Sequence, residues 1–216
     1  MPMSLSVTVI PVTPFQQNCT LLVCEATRRA ALVDPGGEPD VLMAALTRAG
    51  VTLERVLLTH GHVDHIGAVP ALRRRFPVPV EGPHREDAFW IEAVADQARH
   101  FGLEDSEPFE PDRWLVHGDT VQVGEETLQV LHCPGHTPGH VVFFHEPGRL
   151  ALVGDVLFRG SVGRTDFPRG NHGDLIASIR ERLLPLGDDV TFIPGHGPRS
   201  TFGDERITNP FIGPHP

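Results

Sequence analysis

Lysine and tyrosine are absent from this chain of 216 residues, so all eighteen of its basic side chains are arginine and no phenol is available for recognition. Positive charge is short as well. Against 28 carboxylates it leaves a net charge of -10, which repels polyanions at long range and argues against broad binding to nucleic acid or anionic membranes. The three cysteines, Cys19, Cys24 and Cys133, show no paired spacing, and the start "MPMSLSVTVIPV" has no basic stretch leading into a long apolar one. These absences predict a reducing cytoplasm without a disulfide framework. No apolar run approaches the roughly 18–20 residues of a spanning helix, so a soluble protein is expected.

Linkers and low-complexity tracts are also missing, and residues 1–216 are expected to form one domain around one substantial core. Strand-like runs open the chain, "LSVTVIPV", "CTLLVCEA" and "RAALVDPGG", with a turn at Arg28 and Arg29 that predicts an antiparallel hairpin. "EPDVLMAALTRAG" reads as a helix with Pro39 in its first turn, an apolar stripe of Val41, Leu42, Ala45, Leu46 and Ala49, and Gly50 as its stop. "LERVLLTH" then predicts a strand, "IGAVPALRRRF" a short helix with a solvated run Arg73, Arg74 and Arg75, "VPVEG" a strand, residues 84–101 an acidic helix and "EDSEPFEPD" a polar loop. The second half repeats the order. Strands are expected in "DTVQVGEETLQVLH", "HVVFFHE" and "RLALVGDVLF", followed by a helix "DLIASIRERLL" capped by Asn171 and a last strand "DVTFIPGHG". Two sheets with helices on their outer faces satisfy this order, a mixed α/β (α+β) class built as a four-layer αββα sandwich.

The chemically rich residues fall at strand ends. "THGHVDH" (His60, His62, Asp64, His65) follows "RVLL", His136 follows "TLQVLH", Asp155 ends "LALVGD" and His196 follows "DVTFI". Loops at strand ends are held by a rigid scaffold, so residues far apart in sequence can converge there. Imidazoles and carboxylates are the ordinary donors for zinc, iron and manganese. Five histidines and two aspartates exceed what one tetrahedral ion uses, which implies two metals. A carboxylate at the end of an apolar strand is partly desolvated unless a cation meets it, so Asp155 is expected to bridge them.

In this order, HxHxDH followed by single His, Asp and His residues, the chain resembles the metallo-β-lactamase-fold hydrolases over nearly its whole length. "LFRGSVGRTDFPRGN", "GHGP" and "TFGDERITNPFI" are similar to the short glyoxalase II-like group, the hydroxyacylglutathione hydrolases. The resemblance implies the αββα fold, one metal on His60, His62 and His136, a second on Asp64, His65 and His196, and Asp155 between them. Zinc is favoured, with iron and manganese as alternatives. Asp64 and Asp155 are the candidate catalytic side chains, beside a hydroxide held by two cations, which is nucleophilic near neutral pH. The expected partner is a small thioester of a low-molecular-weight thiol, S-D-lactoylglutathione or similar, because a thiolate with a conjugate pKa of about 8.5 leaves without an obligatory acid.

Arg164 is the candidate for binding a substrate carboxylate through its planar fork. Full-length glyoxalase II enzymes use Lys and Tyr and a separate C-terminal helical region around glutathione. The expectation here is a chain without that region, with another small thiol open beside glutathione. "GRTDF" also resembles persulfide dioxygenases, in which one iron would sit on His60, His136 and Asp155; an RNA-processing nuclease of the same fold ranks lower, for want of a basic surface. Cys133 is expected to pack as a small apolar thiol. His140 either orients a ligand or merely starts a strand. His84, His100, His117, His145 and His215 are expected to be solvated or capping, and His172 to sit near a helix N-terminus.

Overall fold

Alternation along the strands sorts the apolar side chains between a core inside the sandwich and cores on its outer faces. In β2 (Gln17–Cys24) and β3 (Arg29–Val33), Leu21, Val23, Ala30 and Leu32 face one way while Leu22, Ala31 and Val33 face the other. The same division recurs in the second half. Val142 and Phe144 of β8 (Val141–His145) and Ala151 and Val153 of β9 (Leu150–Gly154) point away from Val141, Phe143 and Leu152. The computed structural model describes residues 5–103 and 106–213. Two of the polar-loop residues, 104 and 105, and His215 therefore lie outside the described residues, and no helix among them is long and apolar enough to cross a membrane.

The first sheet runs β1 (Leu5–Val12), β2, β3, β4 (Thr52–Leu57), β5 (Val80–Glu81). Its opening three strands are antiparallel, as the hairpin signal predicts, and β4 and β5 are added in parallel. The second sheet has the order β13, β12, β9, β8, β7, β6, from β6 (Thr120–Val123) and β7 (Glu126–His132) to β12 (Thr191–Pro194) and β13 (Ser200–Thr201), with β9 and β12 parallel and a separate hairpin of β10 (Leu157–Phe158) and β11 (Ser161–Val162) after β9. Leu22, Val33, Val130, Phe143, Leu152 and Ile193 lie in the core between the sheets. On the outer face of the first sheet, α1 (Pro39–Ala49) brings Leu42 and Leu46 against Leu21 and Leu32. On that of the second, α6 (His172–Ser178) brings Leu175 against Val142, and α7 (Phe202–Thr208) brings Phe202 against Phe192. That makes four layers. Both faces of each sheet are covered, which is why "TLLVC" and "VVFF" read as continuous apolar runs; each fully buried Leu or Phe there contributes about 1.5–3 kcal/mol.

Several elements depart from the sequence expectation. Val41 is 44% exposed, so the stripe of α1 is narrower than the pattern suggests. The helix expected over residues 84–101 is broken into a 3₁₀ turn (Arg85–Asp87), α4 (Ala88–Glu92) and α5 (Val94–Phe101), because Asp87 turns inward to accept bonds from elsewhere in the fold. "IGAVPALRRRF" is likewise divided. A single turn, α2 (Val63–Ile66), ends at Gly67, α3 (Val69–Arg75) follows, and Arg73 and Arg74 pair with Asp112 and Glu107. Asn171 caps α6 by accepting a bond from the Asp174 amide at 3.2 Å, and the helix then widens into a π turn at Ile179–Leu183.

Candidate metal centre

Every strand that ends in a candidate donor delivers it to the same end of the sandwich. His60 and His62 occupy the turn after β4, Asp64 and His65 the helical turn α2, His136 the loop after β7, Asp155 the residue after β9, and His196 the loop after β12. Nε2 of His60 and Nε2 of His136 lie 3.1 and 3.0 Å from Nδ1 of His62. Three nitrogens bound to one ion at about 2.0–2.1 Å sit roughly 3.3 Å apart, so this spacing fits one cation. In the second group Nε2 of His196 and of His65 lie 3.1 and 3.7 Å from Oδ2 of Asp64. Asp155 stands between the groups: Oδ1 is 3.5 Å from His65 Nε2, and Oδ2 is 3.6 Å from His136 and 3.7 Å from His196.

The outer nitrogens of four rings are tied down, which leaves their inner nitrogens bare. His136 Nδ1 donates to the Arg164 carbonyl at 2.7 Å, His196 Nδ1 to the Phe15 carbonyl at 3.1 Å, and His65 Nδ1 to Asp34 Oδ2 at 2.9 Å. The Thr59 hydroxyl donates to Asp34 Oδ2 at 2.6 Å, so its oxygen accepts from His60 Nδ1 at 3.0 Å. In its neutral form each of these imidazoles therefore turns a lone pair inward, towards other lone pairs and carboxylates. His65 Nε2 and Asp155 Oδ1 are buried and have no hydrogen-bond partner. Such a cluster of unpaired donors is costly without cations and is what two cations require, so the residues fit a pair of divalent metals.

The electrostatics agree. Burial, reinforced for His60 and His62 by the neighbouring imidazoles, holds His60, His62 and His136 below the ordinary imidazole range, so all three are neutral donors at pH 7. For His65 burial acts in the same sense, but the Asp155, Asp64 and Asp34 carboxylates outweigh it and push the ring up to about 10. Burial raises Asp64, yet the charge of His65 and the bond from His196 prevail and keep its carboxyl well below the usual carboxylate range. A proton on His65 thus occupies, in the protein alone, a place suited to a cation.

Glycine is required where the backbone meets this cluster. A methyl group at Gly195 would overlap the Asp155 carboxylate and stand 2.6 Å from His65 Cε1. Further support comes from residues that the sequence did not single out. Asp34, left-handed at the end of β3, also accepts from the Thr59 amide at 2.7 Å, and its position after an apolar strand, like that of Asp155, is the signal that could have found it. Asp87 accepts from the Gly61 amide (3.0 Å), the Thr137 hydroxyl (2.7 Å) and the Gly139 amide (2.6 Å), tying the His60–His62 turn to the His136 loop. Burial pushes its carboxyl up to about 6. Gln97 accepts from the Val63 amide at 3.0 Å and donates to the Trp90 carbonyl at 2.7 Å.

The remaining histidines and Arg164 divide clearly. His140 is buried, stacks on His60 at 4.7 Å and accepts from the Asp155 amide at 3.0 Å, which makes it a support of the site. His84 caps the 3₁₀ turn as expected. His145 corrects the expectation of solvation: it is buried and shares a hydrogen bond of 2.8 Å with Glu126, because β8 is covered on both faces. His100 lines the cleft, His117 is exposed, and exposed His172 starts α6. His84, Glu86 and His132 also gather, with the two rings stacked at 4.2 Å and 22°. Cys133 packs in the outer core of the second sheet, where burial pushes its thiol up to about 12. Arg164 lines the cleft, but its Nε and Nη2 donate to Asp166 at 3.0 and 2.8 Å and its plane lies on Phe167 at 4.7 Å.

His62, Asp64, His136, Asp155 and His196 line the floor of a cleft of about 820 Å³, a size ordinary for a small-molecule site. Residues 12–196 match the model of the metallo-beta-lactamase superfamily. Hydroxyacylglutathione hydrolase GloC of Haemophilus influenzae is 44% identical over 209 residues, covering 96% of this chain and 98% of that protein. The crystal structure of BLEG-1 B3 metallo-beta-lactamase superposes with a TM-score of 0.88 at 37% identity, covering 96% and 99% of the two chains. That of TTHA1623 in a di-iron-bound form gives 0.85 at 40% identity, covering 94% and 99%.

Proposed function

This chain belongs to the metallo-beta-lactamase superfamily, and from that premise we propose that it hydrolyses the thioester of a low-molecular-weight thiol in the manner of a glyoxalase II. The observation that carries the reading is Asp155, whose two oxygens face both donor groups at once on the floor of a cleft with a largely apolar surface. His60, His62 and His136 would hold one divalent ion, Asp64, His65 and His196 the other, with Asp155 between them. Bound ions there supply Lewis acidity, which brings water towards deprotonation near neutral pH and polarises a carbonyl. The donor set accepts zinc, iron or manganese, zinc being favoured by its three-nitrogen group and iron by the di-iron relative.

The chain's own part is positioning and charge. Asp64 and Asp155 line the cleft, and the ionised Asp64 can accept a hydrogen bond from the attacking water and orient it. Asp34, Thr59 and the carbonyls of Arg164 and Phe15 keep the imidazoles in one tautomer, so no reorganisation is required during reaction. Trp90 and Phe167 pack on His62 at 4.6 and 4.7 Å and exclude bulk water from one side. A thiolate leaving group departs without a proton donor, consistent with a wall in which neither lysine nor tyrosine occurs.

The test is the metal content of anaerobically purified protein together with turnover of S-D-lactoylglutathione. About two ions per chain with thioester hydrolysis is the expected result. One iron, no hydrolysis and oxygen uptake with glutathione persulfide would replace the reading by a dioxygenase, and turnover of nitrocefin alone would replace it by a β-lactamase.

A further inference from the structure

The wall of the cleft is aromatic to a degree that the composition does not lead one to expect. The chain has twelve Phe and two Trp, and Phe15, Trp90, Phe101, Phe158 and Phe167 all line this one cavity, with Val162 and Ala93 between them. Three of the rings have work at the donors: Trp90 and Phe167 pack on His62, and Phe158 lies 6.4 Å from His196. Phe15 and Phe101 do not. They meet edge to face at 6.0 Å, each is 45% exposed, and neither ring packs against a candidate metal donor. Two rings held half in water at the rim of a cavity are surface that a ligand would cover.

Charge points the same way. Glutathione carries two carboxylates and an amine, and a site for it needs cations to meet the carboxylates. Arg164 is the single arginine lining the cleft among the described residues, and Asp166 engages its Nε and one of its two terminal nitrogens. Asp96, which pairs with Arg99 on the same helix, adds a carboxylate to the same wall, within a chain of net charge -10. We infer that the cleft takes thioesters with an uncharged apolar arm, aromatic above all, seated between Phe15, Phe101, Trp90 and Phe167, in preference to those of a charged tripeptide thiol. The inference rests on the thioester hydrolase reading and names its substrate class. The oxygen of water forms a C–O bond to the acyl carbon as the C–S bond breaks, the sulfur leaves as a thiolate that takes up one proton while the other passes to solvent, and a carboxylate and a thiol without charged groups result with no oxidant or reductant consumed.

Two measurements test it on the full chain. In the first, the metal-loaded protein is given S-(3-phenylpropanoyl)-N-acetylcysteamine and S-D-lactoylglutathione separately. The phenyl thioester is expected to show kcat/KM higher by about ten-fold, and Phe101→Ser or Phe15→Ser, both at half-exposed positions, to lower that ratio by about five-fold. A preference for lactoylglutathione overturns the inference and leaves the hydrolase reading standing. In the second, calorimetry on the metal-free protein compares the thioether S-(3-phenylpropyl)-N-acetylcysteamine with S-methylglutathione. Tighter binding of the phenyl thioether, weakened in Phe101→Ser, supports the inference even if neither thioester is hydrolysed and the hydrolase reading fails. Equal binding, or tighter binding of S-methylglutathione, overturns it.

Discussion

Replacing Asp155 with Asn keeps the outline of the side chain while removing its charge and one of the two oxygens that face the donor groups. The Asp155→Asn protein is expected to fold, to lose most of both metals by elemental analysis, and to lose about 10²-fold or more of its hydrolysis. His65 makes a second prediction at this scale. Its ring is raised from 6.5 to about 10 in the folded chain, so the proton it holds stabilises the metal-free fold below about pH 6.5, and that contribution is lost as pH rises towards 10. Thermal midpoints of chelator-treated protein should therefore fall between about pH 7 and about pH 9, while those of metal-loaded protein should stay flatter, since a cation replaces the proton. The seven candidate donors were legible in the sequence because each is a chemically distinctive residue at, or within a few residues of, the end of an apolar strand. Asp87 was not: in "HREDAFW" it reads as one more acid on a solvated helix, and only the approach of Gly61, Thr137 and Gly139 reveals its use.

Among the elements, the turn between β4 and α2 is held from outside more than from within. The Asp87 carboxylate and the Gln97 side chain take the amides of Gly61 and Val63, two donors the short α2 cannot satisfy itself. Asp87→Asn places an NH₂ group where an acceptor is needed, since all three bonds to Asp87 come from donors. Competition with a chromogenic chelator should show metal affinity lower by about 10–100-fold at an unchanged circular dichroism spectrum; an unchanged affinity would remove the positioning role. The strands, the capped start of α6 and the stop at Gly50 follow from local pattern, and the structure contains them. The break at Asp87 and the burial of His145 do not, because both are decided by tertiary partners, which a window of neighbouring residues does not contain.

At the scale of the molecule, both donor groups straddle the two sheets. His60 and His62 come from the first sheet and His136 from the second; Asp64 and His65 come from the first, His196 and Asp155 from the second. Cations bound there would bridge the halves in addition to the shared core of Leu22, Phe143 and Leu152. Chelation should then lower the thermal midpoint in a single transition, and re-addition of zinc or iron should restore it, with a gain that grows with the logarithm of free metal. The turn at Val116–Gly118 joins the two sheets, and Val116 is 50% exposed there. The consequence is a form of self-assembly. Two separately made polypeptides, cut at that turn, would each carry an incomplete set of donors and half of a shared apolar face, and their reassociation would be titrated by metal concentration, a molecular coincidence detector in which activity reports the meeting of both fragments.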